Sequence, residues 1–439
     1  MKFGTDGVRG VAGTELTEEF AFRLGVAAAR TLAPATAPVV VIGGDTREST
    51  PSLSAALSSG FRSGGVTVVS LGVAPTPAVA FEAQRLGALG AVVSASHNPF
   101  HDNGIKLFAT GGLKLTDEVE SRIEAELDRT DISPPRRTSP DSPVAVDHRP
   151  YVDHVLGYLE GRRLDGIRVV LDTANGAGHV LGPEILRAAG ADVVVVSDAP
   201  DGRNINDGCG ATAPSHVAAA VLAHGADVGV ALDGDADRLI AVDHTGAVVD
   251  GDHIIAIVAN DLKAKGELRN DTVVVTVMTN LGFRLAMREV GIDVVETAVG
   301  DRYVLEALAT GGHSLGGEQS GHVIFADHAT TGDGVLTAVA LLDAVRRSDR
   351  TLAALAAEAM TSLPQVLVNV RVAHRAPDVA ERLAVDIARV EEMLGDHGRV
   401  LVRASGTEPL VRVMVEAPTT QAAQAAADDL AAVAHRHFG

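Results

Sequence analysis

One cysteine, no tryptophan and only five lysines in 439 residues narrow the reading before any motif is considered. Cys209 is the sole cysteine, so no disulfide forms within the chain, which fits a reducing cytoplasm. Aromatic residues make up 3% of the chain, leaving few platforms on which bases or sugars stack. Positive charge is scarce too: 37 Lys and Arg face 57 Asp and Glu, a formal net charge of −20. Such a surface argues against nucleic acid or an anionic membrane as partner. A phosphorylated small molecule remains compatible, because a few clustered arginines hold phosphate in a locally positive pocket. The opening Met1-Lys2-Phe3-Gly4 has no apolar signal core, and no apolar run is long enough to span a bilayer. Lys106 and Lys114 stand out, since the other lysines are only Lys2, Lys263 and Lys265.

What is present is an ordinary globular composition, 46% hydrophobic and 21% charged. The length exceeds one hydrophobic core, and about two to four domains are expected. The pattern is that of repeated α/β units. Val39–Ile42, a helix from Ser49, the strand Val66–Val69 and Ala91–Val93 form a first round, which delivers Ser96. A second begins at Arg168–Leu171 and ends at Val228–Leu232, delivering Asp233. A third begins at Thr272–Val277 and ends at Ser314–Gly316, delivering Glu318. Ligand groups in open α/β sheets sit at the carboxyl ends of strands, so the three loops are expected to converge on one central cleft. After Pro364 an alternating strand, a helix, two strands flanking a Gly loop and an Ala-rich helix describe a smaller α+β domain. The Pro-rich stretch from Ser133 to Pro150 reads as a linker or surface excursion. The expected domains are therefore 1–150, 151–250, 251–363 and 364–439.

Four loops carry chemistry. Ser94-Ala95-Ser96-His97-Asn98-Pro99 is a good turn in its own right, yet it also presents a hydroxyl at a strand end. His97, Asn98, Asn103 and Lys106 supply the polar neighbours that a weak Ser nucleophile needs. Asp233-Gly234-Asp235-Ala236-Asp237-Arg238 points three carboxylates to one side of an extended loop, where they repel unless a cation neutralises them. An EF-hand is excluded, because Arg238 and His244 stand where that loop needs Gly and Glu. Gly317-Glu318-Gln319-Ser320-Gly321-His322 offers a carboxylate and a hydroxyl to sugar hydroxyls, with a Gly-rich turn as the plainer reading. Arg403-Ala404-Ser405-Gly406-Thr407-Glu408-Pro409, with Arg412, reads as a phosphate cradle and lacks the Lys and length of a nucleotide-binding P-loop. Near the start, Gly7-Val8-Arg9-Gly10 places Arg9 where it could touch phosphate.

In this order and at these intervals the loops resemble the α-D-phosphohexomutase superfamily, from Gly4 to Arg412. The chain looks most like the bacterial phosphoglucosamine mutases. The likeness lies in Phe3-Gly4-Thr5-Asp6-Gly7-Val8-Arg9-Gly10, Gly300-Asp301-Arg302-Tyr303, Glu318-Gln319-Ser320-Gly321-His322, Thr330-Thr331-Gly332-Asp333-Gly334 and the Arg403–Pro409 loop. Ala236, where Gly is commoner, and Ala404 are departures. The resemblance implies three similar α/β domains and a C-terminal domain around a cleft. It implies a phosphoserine at Ser96 and Mg²⁺ held by Asp233, Asp235, Asp237 and the Ser96 phosphate. The implied activity interconverts glucosamine 6-phosphate and glucosamine 1-phosphate, a step toward UDP-N-acetylglucosamine and cell wall. It runs through a 1,6-bisphosphate, which also serves as activator. Arg9 and Lys106 would stabilise charge, and Lys106 or His322 would act as general acid/base. Glu318 and Ser320 would hold the sugar; Arg403, Ser405, Gly406, Thr407 and Arg412 would hold the phosphate not in reaction. His97, Asn98 and Arg238 would support the site. A phosphoglucomutase/phosphomannomutase is the near alternative. A Mg²⁺-dependent phosphatase and a non-catalytic sugar-phosphate sensor are more distant ones, disfavoured by the second phosphate loop and by the intact Ser96, Asp triad and Lys106.

Overall fold

The computed structural model describes residues 2–4, 6–33, 36, 38–129, 147–405 and 409–439. Ser133 to Pro143 of the Pro-rich stretch, Thr5, and Gly406, Thr407 and Glu408 of the expected phosphate loop lie outside them. The chain divides into two compact units, residues 1–278 with 292–359, and residues 279–291 with 360–439.

The larger unit holds three sheets. The first comprises β1 (Val8–Val11), β2 (Val39–Gly44), β3 (Thr67–Val73), β4 (Leu89–Val93), β5 (Asp102–Ala109) and β6 (Leu113–Lys114). The second comprises β7 (Arg168–Asp172), β8 (Asp192–Val196), β9 (Val228–Leu232), β10 (Leu239–Asp243) and β11 (Val248–Val249). The third comprises β12 (Thr272–Thr276), β13 (Asp293–Thr297), β14 (Leu315–Gly317) and β15 (Val323–Phe325).

One arrangement recurs. The first strand of each round (β2, β7, β12) runs parallel between its second and third strands, and a fourth strand pairs antiparallel with the third. The repeat expected from the sequence is thus a repeat of topology. Its consequence is positional: the connection from third to fourth strand is short and leaves the carboxyl end of a parallel strand. Those connections are residues 94–101, 233–238 and 318–322, which carry Ser96, the three aspartates and Glu318.

Strand alternation accounts for the layers. In β2, Val40 and Ile42 pack with Phe22, Leu24, Leu57 and Phe61 of helices Glu18–Leu32 and Thr50–Ser63. Val41 points the other way, into a core with Val79, Ala83, Val92 and Phe108. Both faces are covered, as parallel strands require, and the strands read as continuous apolar runs for that reason. No helix among the described residues is long and apolar enough to cross a membrane.

The smaller unit is a three-stranded antiparallel sheet of β16 (Gln365–Arg371), β17 (Arg399–Ala404) and β18 (Leu410–Glu416), with β18 central. The helix Thr420–Phe438 buries Ala423, Ala427, Leu430 and Ala434 against Val411, Val413 and Val415. The helix Leu281–Glu289, counted with the third α/β domain by its place in the chain, clusters with the C-terminal segment. Its entry is tied there by side chains: Leu281 N donates to Glu416 Oε2 at 2.9 Å, and Asn280 Oδ1 accepts from Leu363 N at 2.9 Å.

Candidate active site

The Ser96 loop is held in a conformation that its sequence alone does not favour. Ser96 has φ +52°, the left-handed region that residues other than Gly seldom occupy without support. Support comes from three directions. Ser94 Oγ donates to Asp45 Oδ2 at 2.6 Å and accepts from Ser96 N at 3.0 Å. Arg47, fully buried and paired with Asp45 at 2.7 Å, donates through Nη2 to the carbonyls of Ser96 at 3.0 Å and Asn98 at 2.8 Å. Asn206 Nδ2 reaches the same two carbonyls at 2.9 and 3.2 Å. Asn206 itself has φ +57° and lies on a loop with Cys209, whose buried Sγ accepts from Asn175 Nδ2 at 3.7 Å.

The aspartate loop meets this one directly. Ser96 Oγ donates to Asp233 Oδ2 at 2.5 Å. Gly234 packs so closely on the Ser96 carbonyl oxygen that a Cβ would collide with it, which explains glycine between the first two aspartates. Ala236 has φ +58°, so the departure from Gly seen in the sequence falls on a position that favours Gly. Carboxylate oxygens of Asp233, Asp235 and Asp237 lie within 4.8 Å of one another. All three residues are buried. Lys106 Nζ donates to Asp235 Oδ2 at 2.8 Å and Asp237 Oδ2 at 3.0 Å, and lies 3.1 Å from Asp6 Oδ2. Thr76 Oγ1 donates to Asp235 Oδ2 at 2.6 Å.

The electrostatics follow from burial. Desolvation pushes Asp233 well above the carboxylate range, and Asp237 and Asp235 push it further. Burial would raise Asp237 also, but Lys106 and then His322 hold it well below that range. Burial would lower Lys106; instead Asp235, Asp237 and Asp6 raise it well above its ordinary value, so it is a fixed ammonium. One ammonium among these carboxylates leaves Asp235 Oδ1 buried without a hydrogen-bond partner among the described residues, and Asp237 Oδ1 with only His322 Nδ1 at 3.6 Å. Clustered hard oxygen donors with unsatisfied lone pairs fit a divalent cation.

A cavity of about 430 Å³ opens over this centre, bounded by Asp6, Arg9, His97, Asp237, Arg238, Asp301, Glu318 and His322 among others. His97 Nδ1 stands 3.3 Å from Ser96 Oγ. Burial, then Arg238 and Arg9, depress this imidazole to about 4, so it is neutral near pH 7. Arg9 pairs with Asp6 and donates to Asn98 Oδ1 at 3.2 Å. Glu318 Oε1 accepts from Gly300 N at 3.1 Å, and Ser320 Oγ donates to Glu318 Oε2 at 3.3 Å. His322 Nε2 accepts from Gly332 N at 3.1 Å while Nδ1 faces Asp237 Oδ1 at 3.6 Å. Both its nitrogens are engaged, which suits bracing Asp237 better than passing protons to a ligand.

In the smaller unit, Arg403 and Arg412 stand opposite each other across the β17–β18 pair. Burial and the Arg412 charge lower Arg403 from its ordinary value. Like charges directly opposite are unfavourable without an anion, and Arg412 Nε is buried with no hydrogen-bond partner among the described residues. Ser405 N donates to Leu410 O at 2.8 Å.

Sequence reasoning missed Asp6, Asp45, Arg47, Thr76, Asn206 and Asp301 as parts of this centre. Arg47 and Asn206 act on backbone carbonyls, which leave no pattern in side-chain types. Asp45 and Arg47 follow Gly43-Gly44 at a strand end, a signal that was available.

Models of the phosphoglucomutase/phosphomannomutase α/β/α domains I, II and III match residues 1–133, 149–246 and 250–363, and the C-terminal domain model matches 367–433. A phosphoglucosamine mutase of Frankia casuarinae is 56% identical, over 98% of this chain and 97% of its own. The chain belongs to the phosphoglucomutase/phosphomannomutase family. Another phosphoglucosamine mutase, of Thermobifida fusca, is 54% identical over 98% of this chain and 97% of its own. Among solved structures of the fold, a phosphoglucomutase/phosphomannomutase family protein of Burkholderia thailandensis aligns with TM-score 0.81 at 24% identity, over 98% and 97% of the two chains. The N-acetylphosphoglucosamine mutase of Aspergillus fumigatus, in complex with GlcNAc-6P and magnesium, aligns with TM-score 0.68 at 19% identity, over 100% and 96%. Three α/β domains of like topology and a smaller C-terminal domain are the architecture of this family as the chain displays it.

Proposed function

We propose that the chain is a phosphoglucosamine mutase, interconverting glucosamine 6-phosphate and glucosamine 1-phosphate. The observation that carries this is the Ser96 hydroxyl 2.5 Å from Asp233, inside a buried aspartate triad that Lys106 only partly neutralises. A phosphoryl carrier and a cation site then coincide. The names of relatives above 50% identity support glucosamine as the sugar.

Ser96 would be carried as phosphoserine. In the first transfer the Ser96 Oγ–P bond breaks and the sugar O1 bonds to phosphorus, the O1 proton passing across to the leaving Ser96 Oγ. The 1,6-bisphosphate then reorients and returns its 6-phosphoryl group to Ser96 Oγ, whose proton passes to O6. Mg²⁺ held by Asp233, Asp235, Asp237 and the Ser96 phosphate would supply neutralisation of charge on the transferring group. Lys106 and Arg9 would add fixed positive charge there. Arg238 and the neutral His97 would line the approach, and Asn98 would orient Arg9. Glu318 and Ser320 would hold sugar hydroxyls in both orientations. Arg403, Ser405 and Arg412, with Gly406 and Thr407, would hold the phosphate not being transferred. Lys106, charged in the resting site, would act as acid before it could act as base; His322 would position Asp237. A sugar 1,6-bisphosphate would serve as activator, the compartment would be the cytoplasm, and the four domains would divide at about residues 150, 250 and 363.

The test is intact mass and turnover. Purified protein should contain a fraction heavier by one phosphoryl group, mapping to the Ser96 peptide. Ser96→Ala should lose that fraction and nearly all activity on glucosamine 6-phosphate; full activity in the variant would end the proposal. Comparing kcat/KM on glucosamine, glucose and mannose 6-phosphates separates the two mutase readings.

A further inference from the structure

Four carboxylates face the cleft over the aspartate triad: Asp6, Asp237, Asp301 and Glu318. Three are already committed. Asp6 lies among Arg9, Lys106 at 3.1 Å and Lys114 at 3.7 Å. Asp237 belongs to the triad and pairs with Lys106. Glu318 accepts from Gly300 N–H through one oxygen and from the Ser320 hydroxyl through the other. Asp301 differs. It is the first residue of the helix Asp301–Gly311, and its Oδ2 pairs with the ammonium of Lys114. His322 Nε2, 3.7 Å away, is turned to Gly332 N–H. Neighbouring Arg302 does not cancel the charge, because its guanidinium is directed to Asp117 and Glu120.

Lys114 is a replaceable partner. Its ammonium ends a flexible four-carbon stem, and Asp6 Oδ1 at 3.7 Å offers a second acceptor. A ligand bringing its own ammonium to Asp301 would displace Lys114 toward Asp6 without stranding it. A neutral hydroxyl at that place would gain only a hydrogen bond to a carboxylate already paired with Lys114. Charge-assisted pairing on both partners is the stronger interaction.

We propose that Asp301 is a specificity-determining residue that pairs with the protonated amino group of a 2-amino sugar phosphate, taking the place on it of the Lys114 ammonium. The proposal rests on the phosphoglucosamine mutase reading and adds to it the group that distinguishes the amino sugar. It also gives a role to Gly300-Asp301-Arg302-Tyr303, which the sequence singled out without one.

The experiment measures kcat/KM for glucosamine 6-phosphate and glucose 6-phosphate on the full-length protein, with Mg²⁺ and glucose 1,6-bisphosphate present. The readout is their ratio, and intact mass checks that Ser96 remains phosphorylated in each variant. Asp301→Asn should lower the ratio by about tenfold or more, a difference of about 1.4 kcal/mol. Lys114→Met removes the competing ammonium and should raise it. In the unsubstituted protein the ratio should fall as pH rises through deprotonation of the substrate amine, and Asp301→Asn should flatten that dependence. If the protein turns over glucosamine 6-phosphate and Asp301→Asn leaves the ratio within about twofold, the Asp301 assignment is wrong while the function reading stands. If it turns over glucose 6-phosphate but not glucosamine 6-phosphate, both fall.

Discussion

Ser96 is kept left-handed by donors that reach its carbonyl and that of Asn98, one from Arg47 and one from Asn206. Each donor carries about 1 kcal/mol, enough to shift the aim of the hydroxyl without unfolding the domain. Asn206→Ala is expected to lower kcat about tenfold with KM little changed, and to reduce the phosphorylated fraction at Ser96. A rise in KM alone would show that Asn206 serves binding instead. Ala236 presents a different balance. Its left-handed backbone costs roughly 1 kcal/mol relative to Gly, but its methyl is fully buried and worth about 0.8 kcal/mol. The terms nearly cancel, so Ala236→Gly should change stability by less than about 1 kcal/mol in denaturant melts. A larger change would mean the loop is strained beyond this one residue.

At the scale of elements, the helix Gly334–Ser348 starts from a buried carboxylate. Asp333 Oδ1 accepts from Val335 N at 3.0 Å and Leu336 N at 2.9 Å, and Tyr151 Oη donates to Oδ2 at 2.9 Å. Burial outweighs these bonds and raises Asp333 from 3.8 to about 6. The folded state therefore holds this proton more tightly than the unfolded chain does. Its contribution to stability is fully present below about 4 and is lost as pH rises to about 6. Asn retains the capping oxygen and does not titrate. Asp333→Asn should thus gain on the parent by up to about 3 kcal/mol across that window in pH-resolved denaturation. A pH-independent difference would show that Asp333 is ionised in the fold throughout. The same scale shows what the sequence made legible. Short apolar runs ended by Gly and polar residues located the strands, and three of those ends named Ser96, the aspartates and Glu318 in advance. Order in the chain places helix Leu281–Glu289 between β12 and β13, and order alone does not reveal that Asn280 and Leu281 are also tied to Leu363 and Glu416. Asp6 and Asp301 escaped for a related reason: Asp6 meets Lys106 and Asp301 meets Lys114 across a hundred residues or more of chain.

For the whole molecule, the aspartate triad concentrates repulsion that the fold must bear. A cation that binds there should stabilise the native state, by about 2.7 kcal/mol at 100 times its Kd. Millimolar Mg²⁺ should raise Tm, and Asp235→Asn should diminish the rise without abolishing folding; an unchanged Tm would count against the cation site. In the smaller unit, Arg412→Ala should raise KM more than it lowers kcat, because a phosphate that does not react is held alike in ground and transition states. An unchanged KM would remove Arg412 from phosphate binding.

The sole thiol offers a way to watch this order directly. Cys209 is buried, and burial together with Asp172 raises it above its ordinary value, so in the closed loop it is a sluggish nucleophile. It lies three residues from Asn206, on the stretch that supports Ser96. A disulfide-forming reagent would therefore report the opening of that stretch, one label per molecule and no background from elsewhere in the chain. Labelling that slows when sugar phosphate and Mg²⁺ are added would make a chemical clock of how firmly the Ser96 loop is held.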